Sequence, residues 1–127
     1  MKNELEKVLI NLKDAFQSLE EGCMNAKDQL DKDGVIQRFE FTFELMWKAL
    51  RIYLHKEGVL TKSPRETLKE AFRLGWILEE QVFLKMLEDR NETTHVYSKV
   101  KADEIFQRIN KQYVTEIKKI ILKLDNI

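Results

Sequence analysis

Chain breakers are scarce in this sequence, and that constrains its fold more than any other feature. Four glycines (Gly22, Gly34, Gly58, Gly75) and one proline (Pro64) punctuate 127 residues. A β-sandwich needs many more turn residues. Buried parallel strands need long apolar runs, and the runs here stop at three residues, as in Ile52-Tyr53-Leu54 and Ile120-Ile121-Leu122. The same shortness excludes a transmembrane helix of about 20 apolar residues. Segments of helical period fill the space between the breakers. No repeat, low-complexity stretch or linker divides them, so one domain over 1–127 is expected.

Segment one carries Leu5, Val8, Leu9, Leu12, Phe16 and Leu19 at steps of 3, 1, 3, 4 and 3, one face of a helix. Its end, at or beyond Gly22, stays open. Asp31-Lys32-Asp33-Gly34 reads as a turn. Segment two, Val35 to about Lys56, carries the stripe Ile36, Phe39, Phe43, Met46, Trp47, Leu50, Tyr53 and Leu54, with Phe41, Leu45 and Ile52 off it. A helix apolar on more than one side is buried on more than one side, which in a chain this short points to a homodimer. Gly58 is a stop.

Ser63-Pro64-Arg65-Glu66 is a capping box with proline at the first helical position. A short helix follows, with Leu68, Ala71 and Phe72 inward, ending near Gly75. Segment four starts around Leu78, carries Val82, Phe83, Met86 and Leu87, and loses order within 89–95. Segment five runs from about Ala102 to Leu124 on Ile105, Ile109, Tyr113 or Val114, Ile117, Ile120 or Ile121, and Leu124. The expected fold is all-α: an antiparallel up-and-down bundle of four main helices plus one short one, homodimeric.

Charge narrows the function. Lys plus Arg and Asp plus Glu are both 22, so the net charge is zero. That excludes binding nucleic acid through a uniformly basic surface, though not through a local patch. The start of the chain has no apolar signal region, and the lone Cys23 cannot form an internal disulfide; a cytoplasmic location is expected. There is no glycine-rich phosphate loop and no Cys or His cluster for zinc, so neither a metal nor a cofactor is expected.

Two histidines carry the remaining chemistry. His55 suits the helix dipole at the end of segment two. His95 lies in Arg90-Asn91-Glu92-Thr93-Thr94-His95-Val96-Tyr97. A fixed cation, a titratable base and a phenol in eight residues are the groups that hold a phosphate and move a proton. Five residues apart on a regular helix is a rotation of roughly 140°. Arg90 and His95 therefore converge only if the helix ends between them or if two copies face each other. The residues alone also allow a structural loop in which Arg90 pairs with an acid. Glu40, Glu44 and Lys48 form either an exposed ladder one turn apart or, with Arg38, the lining of a dimer cleft. Trp47 and Trp76 are expected in the core, Cys23 is read as structural, and Lys118, Lys119 and Lys123 as complements of the last helix dipole.

Three stretches carry a family resemblance: Arg38 to Lys48, Ser63 to Ile77, and Met86 to Tyr97. Their order and spacing resemble the HEPN superfamily over nearly the whole chain, specifically the small nucleotidyltransferase substrate-binding proteins close to the HepT toxins. The resemblance implies a dimerising helical bundle and a partner, a minimal nucleotidyltransferase encoded nearby. In the toxin branch it implies a metal-independent endoribonuclease of a toxin-antitoxin pair. On this chain, His95 would be the general base on a ribose 2′-hydroxyl, Arg90 would stabilise the phosphorane-like charge, and Asn91 would orient the phosphate. Tyr97 matches the tyrosine that the partner can adenylylate, a bulky anion that would block RNA. The alternative is a non-catalytic subunit that binds a nucleotide or other substrate for that transferase.

Overall fold

The computed structural model describes residues 3–93 and 98–127, and these contain helices but no strand. The helices are α1 (Glu4–Asn25), α2 (Gln29–Lys56), α3 (Pro64–Arg73), α4 (Glu80–Glu92), α5 (Lys99–Arg108) and α6 (Val114–Asp125). A π-helical turn, Ile109–Tyr113, joins α5 to α6 with helical dihedrals on both sides, so segment five is one rod with a wide turn inside it. Counted that way there are four main helices and one short one among the described residues.

The Asn3 side chain caps α1 by accepting from the Glu6 N–H at 2.8 Å. The helix then passes through Gly22 to Asn25. Gly22 marks a close approach: a Cβ there would lie 2.9 Å from Arg38 Nη1 and 3.2 Å from Val35 Cγ2. Leu5, Leu9, Leu12, Phe16 and Leu19 are buried as their spacing predicts.

The expected turn at 31–34 is wrong. α2 begins at Gln29, capped by Asp28, whose carboxylate accepts from the Asp31 N–H at 2.8 Å. The Asp31 carboxylate in turn accepts from the Lys27 N–H at 2.9 Å. The two acids satisfy donors at the helix start and complement its dipole. That outweighs the ~1 kcal/mol cost of Gly34 inside a helix.

α2 is the hub, packing on α1, α3, α4, α5 and α6. It buries Phe39, Phe43, Met46, Trp47, Leu50 and Leu54, while Leu45 and Ile52 are half-buried and Phe41 is 65% exposed. Within one chain the off-stripe apolar surface therefore stays partly open.

α2 and α3 both end in a glycine with positive φ, Gly58 at +84° and Gly75 at +83°. In each, the next residue's N–H reaches back to close the motif, Val59 to Leu54 O and Trp76 to Ala71 O, both at 2.8 Å. His55 Nε2 lies 3.2 Å from the Thr61 nitrogen and 3.1 Å from the Thr61 carbonyl oxygen, so the imidazole pins the loop. The Ser63 cap of α3 forms as expected, accepting from the Glu66 N–H at 3.2 Å. Leu68 and Ala71 are buried, but Phe72 is exposed and Thr67 faces the core instead. Thr67 gains two hydroxyl bonds there, with Thr61 Oγ1 at 2.7 Å and Ser63 O at 2.8 Å. Lys123 donates to Gly75 O at 3.3 Å and Trp76 O at 3.0 Å, so it binds the α3–α4 connection rather than the end of its own helix. No described helix is long and apolar enough to cross a membrane.

Candidate functional site at the end of α4

α4 buries Phe83, Met86, Leu87 and Asp89. It ends at Glu92, inside the stretch where loss of order is expected. Thr93 closes it: its N–H bonds Asp89 O at 3.1 Å and its hydroxyl donates to Arg90 O at 2.8 Å. The last turn presents Arg90 and Asn91 just ahead of residues 94–97. His95 and Tyr97 lie outside the described residues.

Arg90 reaches from α4 to α2. Its Nη2 is hydrogen-bonded to Glu44 Oε2 in a charge-assisted pair. Its Nη1 donates to Asn91 Oδ1 at 3.0 Å, and the guanidinium carbon sits 6.0 Å from the centre of the Phe43 ring. Glu44 also accepts from the Trp47 indole N–H at 3.1 Å and lies 3.5 Å from Lys48. Partial burial opposes ionisation of Glu44. The Trp47 and Arg90 donors outweigh it and hold the carboxyl below its ordinary range.

Thus Glu44 is more than a rung of an exposed ladder. Glu44, Arg90 and Asn91 come together at one place. Glu40 lies one turn earlier on α2 and lines a groove of about 890 Å³ between α2, the end of α4 and the start of α5, with Glu92, Thr93, Ser98, Lys99 and Lys101. Arg38 does not join them. It points to α1, donates to Ser18 O at 2.7 Å and lines a separate groove beside Phe41. The reason is local: Gly22 opens room for its side chain at the α1–α2 crossing.

The residues that sequence reasoning missed stand directly behind Arg90. Asp89 is fully buried. Arg108 forks onto it, Nε to Oδ2 at 2.7 Å and Nη2 to Oδ1 at 2.8 Å, and the Tyr113 hydroxyl donates to Oδ2. The Asp89 hydrogen bond holds the Arg108 pKa well above its usual value. Burial first, then the same carboxylate, pushes that of Tyr113 far up, so the phenol stays protonated. One signal was available: Asp89 falls three residues after Met86, on the apolar face of α4, where a carboxylate must have partners. Burial chiefly, with Glu20 nearby, raises the Cys23 thiol, which agrees with a structural cysteine.

The family model described as "Nucleotidyltransferase substrate binding protein like" matches residues 4–126. The chain belongs to this family. Among relatives of the family, the chain is 28% identical to the Haemophilus influenzae protein named "Probable ribonuclease HepT", over 83% of this chain and 84% of the relative. Two solved structures share the fold. One, from Thermus thermophilus, has a TM-score of 0.82 at 33% identity and covers 89% of this chain and 98% of its own. The other, from Haemophilus influenzae, has a TM-score of 0.82 at 26% identity and covers 92% and 98%. It is described as revealing the fold of a substrate binding domain of a nucleotidyltransferase.

Proposed function

We propose that this protein is a HEPN-type, metal-independent endoribonuclease, the toxin of a pair, kept silent by a minimal nucleotidyltransferase. The observation that carries the reading is the state of Arg90. Its guanidinium is fixed between Glu44 and the Phe43 ring at the end of α4, with the Asn91 amide beside it and His95 five residues on. The ribonuclease name of the Haemophilus influenzae relative supports the same class of chemistry.

The reaction needs only protein groups. His95 takes the proton from a ribose 2′-hydroxyl, and the oxygen attacks the adjacent phosphorus. Negative charge builds on the non-bridging oxygens, and Arg90 answers it while Asn91 orients the phosphate. The bond to the 5′-oxygen breaks, that oxygen takes a proton from water, His95 returns its own proton to solvent, and a 2′,3′-cyclic phosphate remains. Glu44 holds the guanidinium in place until the phosphate arrives and replaces it. In the dimer that the family resemblance implies, two such sites would face each other. Adenylylation of Tyr97 by the partner would add an anion at the site and exclude RNA.

One observation favours the alternative, a subunit that only holds a nucleotide or other substrate for the transferase. Lys99 and Lys101 line the groove that adjoins the end of α4, cations that suit the phosphates of a nucleotide. A single assay separates the two readings: purified protein with mixed tRNA and mRNA in chelator, beside a folded His95→Ala control. Cleavage by the wild type alone supports the ribonuclease. No cleavage by folded wild type moves the conclusion to the binding subunit, and equal cleavage by both points to a contaminant.

A further inference from the structure

Asp89, Arg108 and Tyr113 belong to no step of that mechanism, yet they are the most costly polar arrangement among the described residues. A buried carboxylate is tolerated only when its charge is paired and its lone pairs are used. Here Asp89 has three hydrogen bonds from two side chains, with Lys85 a further cation 3.9 Å away. The helix itself is deformed to supply them. Arg108 and Tyr113 are five residues apart, and an uninterrupted α-helix would separate them by roughly 140°. The π-turn Ile109–Tyr113 starts directly after Arg108 and ends on Tyr113. Its i→i+5 bonding widens the helix and lets both side chains reach one carboxylate.

The consequence falls on Arg90. Asp89 and Arg90 are consecutive, so anchoring Asp89 sets the rotation of this turn and with it the direction in which the Arg90 side chain leaves the helix. A second line of contact leads to the same place. The Tyr113 ring stacks on Phe39 at 5.3 Å, Phe39 lies 6.0 Å from Phe43, and Phe43 lies beneath the Arg90 guanidinium. We propose that Asp89, Arg108 and Tyr113 form a positioning triad that sets the rotation of the last turn of α4 and so aims Arg90 and Asn91 at the phosphate. The kinetic consequence rests on the ribonuclease reading; the aiming of Arg90 does not.

The test uses the full chain. Tyr113→Phe removes one hydroxyl and keeps the ring; Arg108→Lys keeps the charge and removes the fork. Leu5→Ala, in the first turn of α1, serves as the control for a general loss of stability. Two readouts are followed: hydrogen exchange of the Arg90 guanidinium N–H by NMR, and kcat and KM for RNA. The expected result for both triad variants is exchange at Arg90 faster by about tenfold. The kcat falls by about tenfold to a hundredfold, with KM within about twofold. Leu5→Ala leaves both near wild type. If Tyr113→Phe and Arg108→Lys leave Arg90 exchange unchanged, or no faster than in Leu5→Ala, the triad is only structural and the proposal is overturned. If the wild type does not cleave RNA, the ribonuclease reading fails by itself, and Arg90 exchange still decides the positioning claim.

Discussion

Two arginine–carboxylate pairs hold the end of α4, and they differ in what surrounds them. Asp89 with Arg108 has a fully buried carboxylate gripped by a fork and a phenol. Glu44 with Arg90 is a single contact whose side chains are 33% and 29% exposed. Burial of the carboxylate makes the first pair costly to break from the Arg108 side, because removing Arg108 leaves a charge that water cannot reach. Exposure makes the second exchangeable, because water or another anion can replace either partner at small cost. A fixed pair beside a replaceable one is what a phosphate site requires: one element holds the frame and the other yields to the ligand.

The sharpest way to break this contrast is Arg108→Ala. It leaves the buried Asp89 carboxylate with the Tyr113 hydroxyl as its one close side-chain partner, Lys85 standing 3.9 Å away. The expected loss is about 3–5 kcal/mol, the usual consequence of opening a buried pair from one side. It would be read as a fall in the denaturant midpoint with the slope unchanged. A loss under about 1 kcal/mol would place Asp89 in the same class as Glu44 and abolish the comparison.

Tyr113→Phe is smaller and adds a pH signature. Losing a hydrogen bond to a charged acceptor costs about 1.5–3 kcal/mol. The folded pKa of Tyr113 is raised, so between the unfolded value of about 10 and the folded one the native state holds a proton that the unfolded state has lost. Stability is therefore full below about pH 10 and falls as pH rises beyond it. The wild type should lose stability through that range more steeply than Tyr113→Phe. Parallel profiles would mean that the phenol is neither buried nor held by Asp89.

Much of this architecture is legible in the sequence, and the failures have physical causes. The stripes of α1 and α2, the Ser63 cap and the two glycine stops are local features, each decided within one or two turns. Asp31 to Gly34 misleads because its residue types favour a turn, while the Asp28 and Asp31 side chains can equally serve the start of a helix. Phe72 misleads because helical period names a face but not which neighbour covers it; the Thr67 hydroxyl had two partners waiting there. At the site, Arg90, Asn91 and Glu44 are legible as chemical types, and α4 and α2 bring them together. Arg38 is drawn away by the cleft over Gly22, a feature of two helices that neither shows alone. Asp89 is legible as a carboxylate on an apolar face, but its partners Arg108 and Tyr113 are not, for a different reason. Their convergence depends on one extra residue's width in α5–α6, and nothing in Ile109-Asn110-Lys111-Gln112-Tyr113 announces a π-turn.

The smallest expected effect on stability is also the most direct probe of the exchangeable pair. Glu44→Gln keeps the shape and an acceptor for the Trp47 indole N–H but removes the charge that holds Arg90. Stability at neutral pH should change by less than about 1 kcal/mol. The folded pKa of Glu44 is lowered, so its contribution is present above the ordinary glutamate value and disappears as pH falls through the folded one. That acid-side component, visible in Trp47 fluorescence, should be absent from the variant. Arg90 meanwhile loses its resident competitor. Binding of a short RNA to a non-cleaving His95→Ala background should tighten by up to about fivefold when Glu44→Gln is added, the equivalent of about 1 kcal/mol. The gain should shrink at high salt, where the displaced pair is itself screened. A weaker complex would mean that Glu44 orients Arg90 for the phosphate rather than yielding to it. The two carboxylates at the end of α4 would then both be parts of the frame.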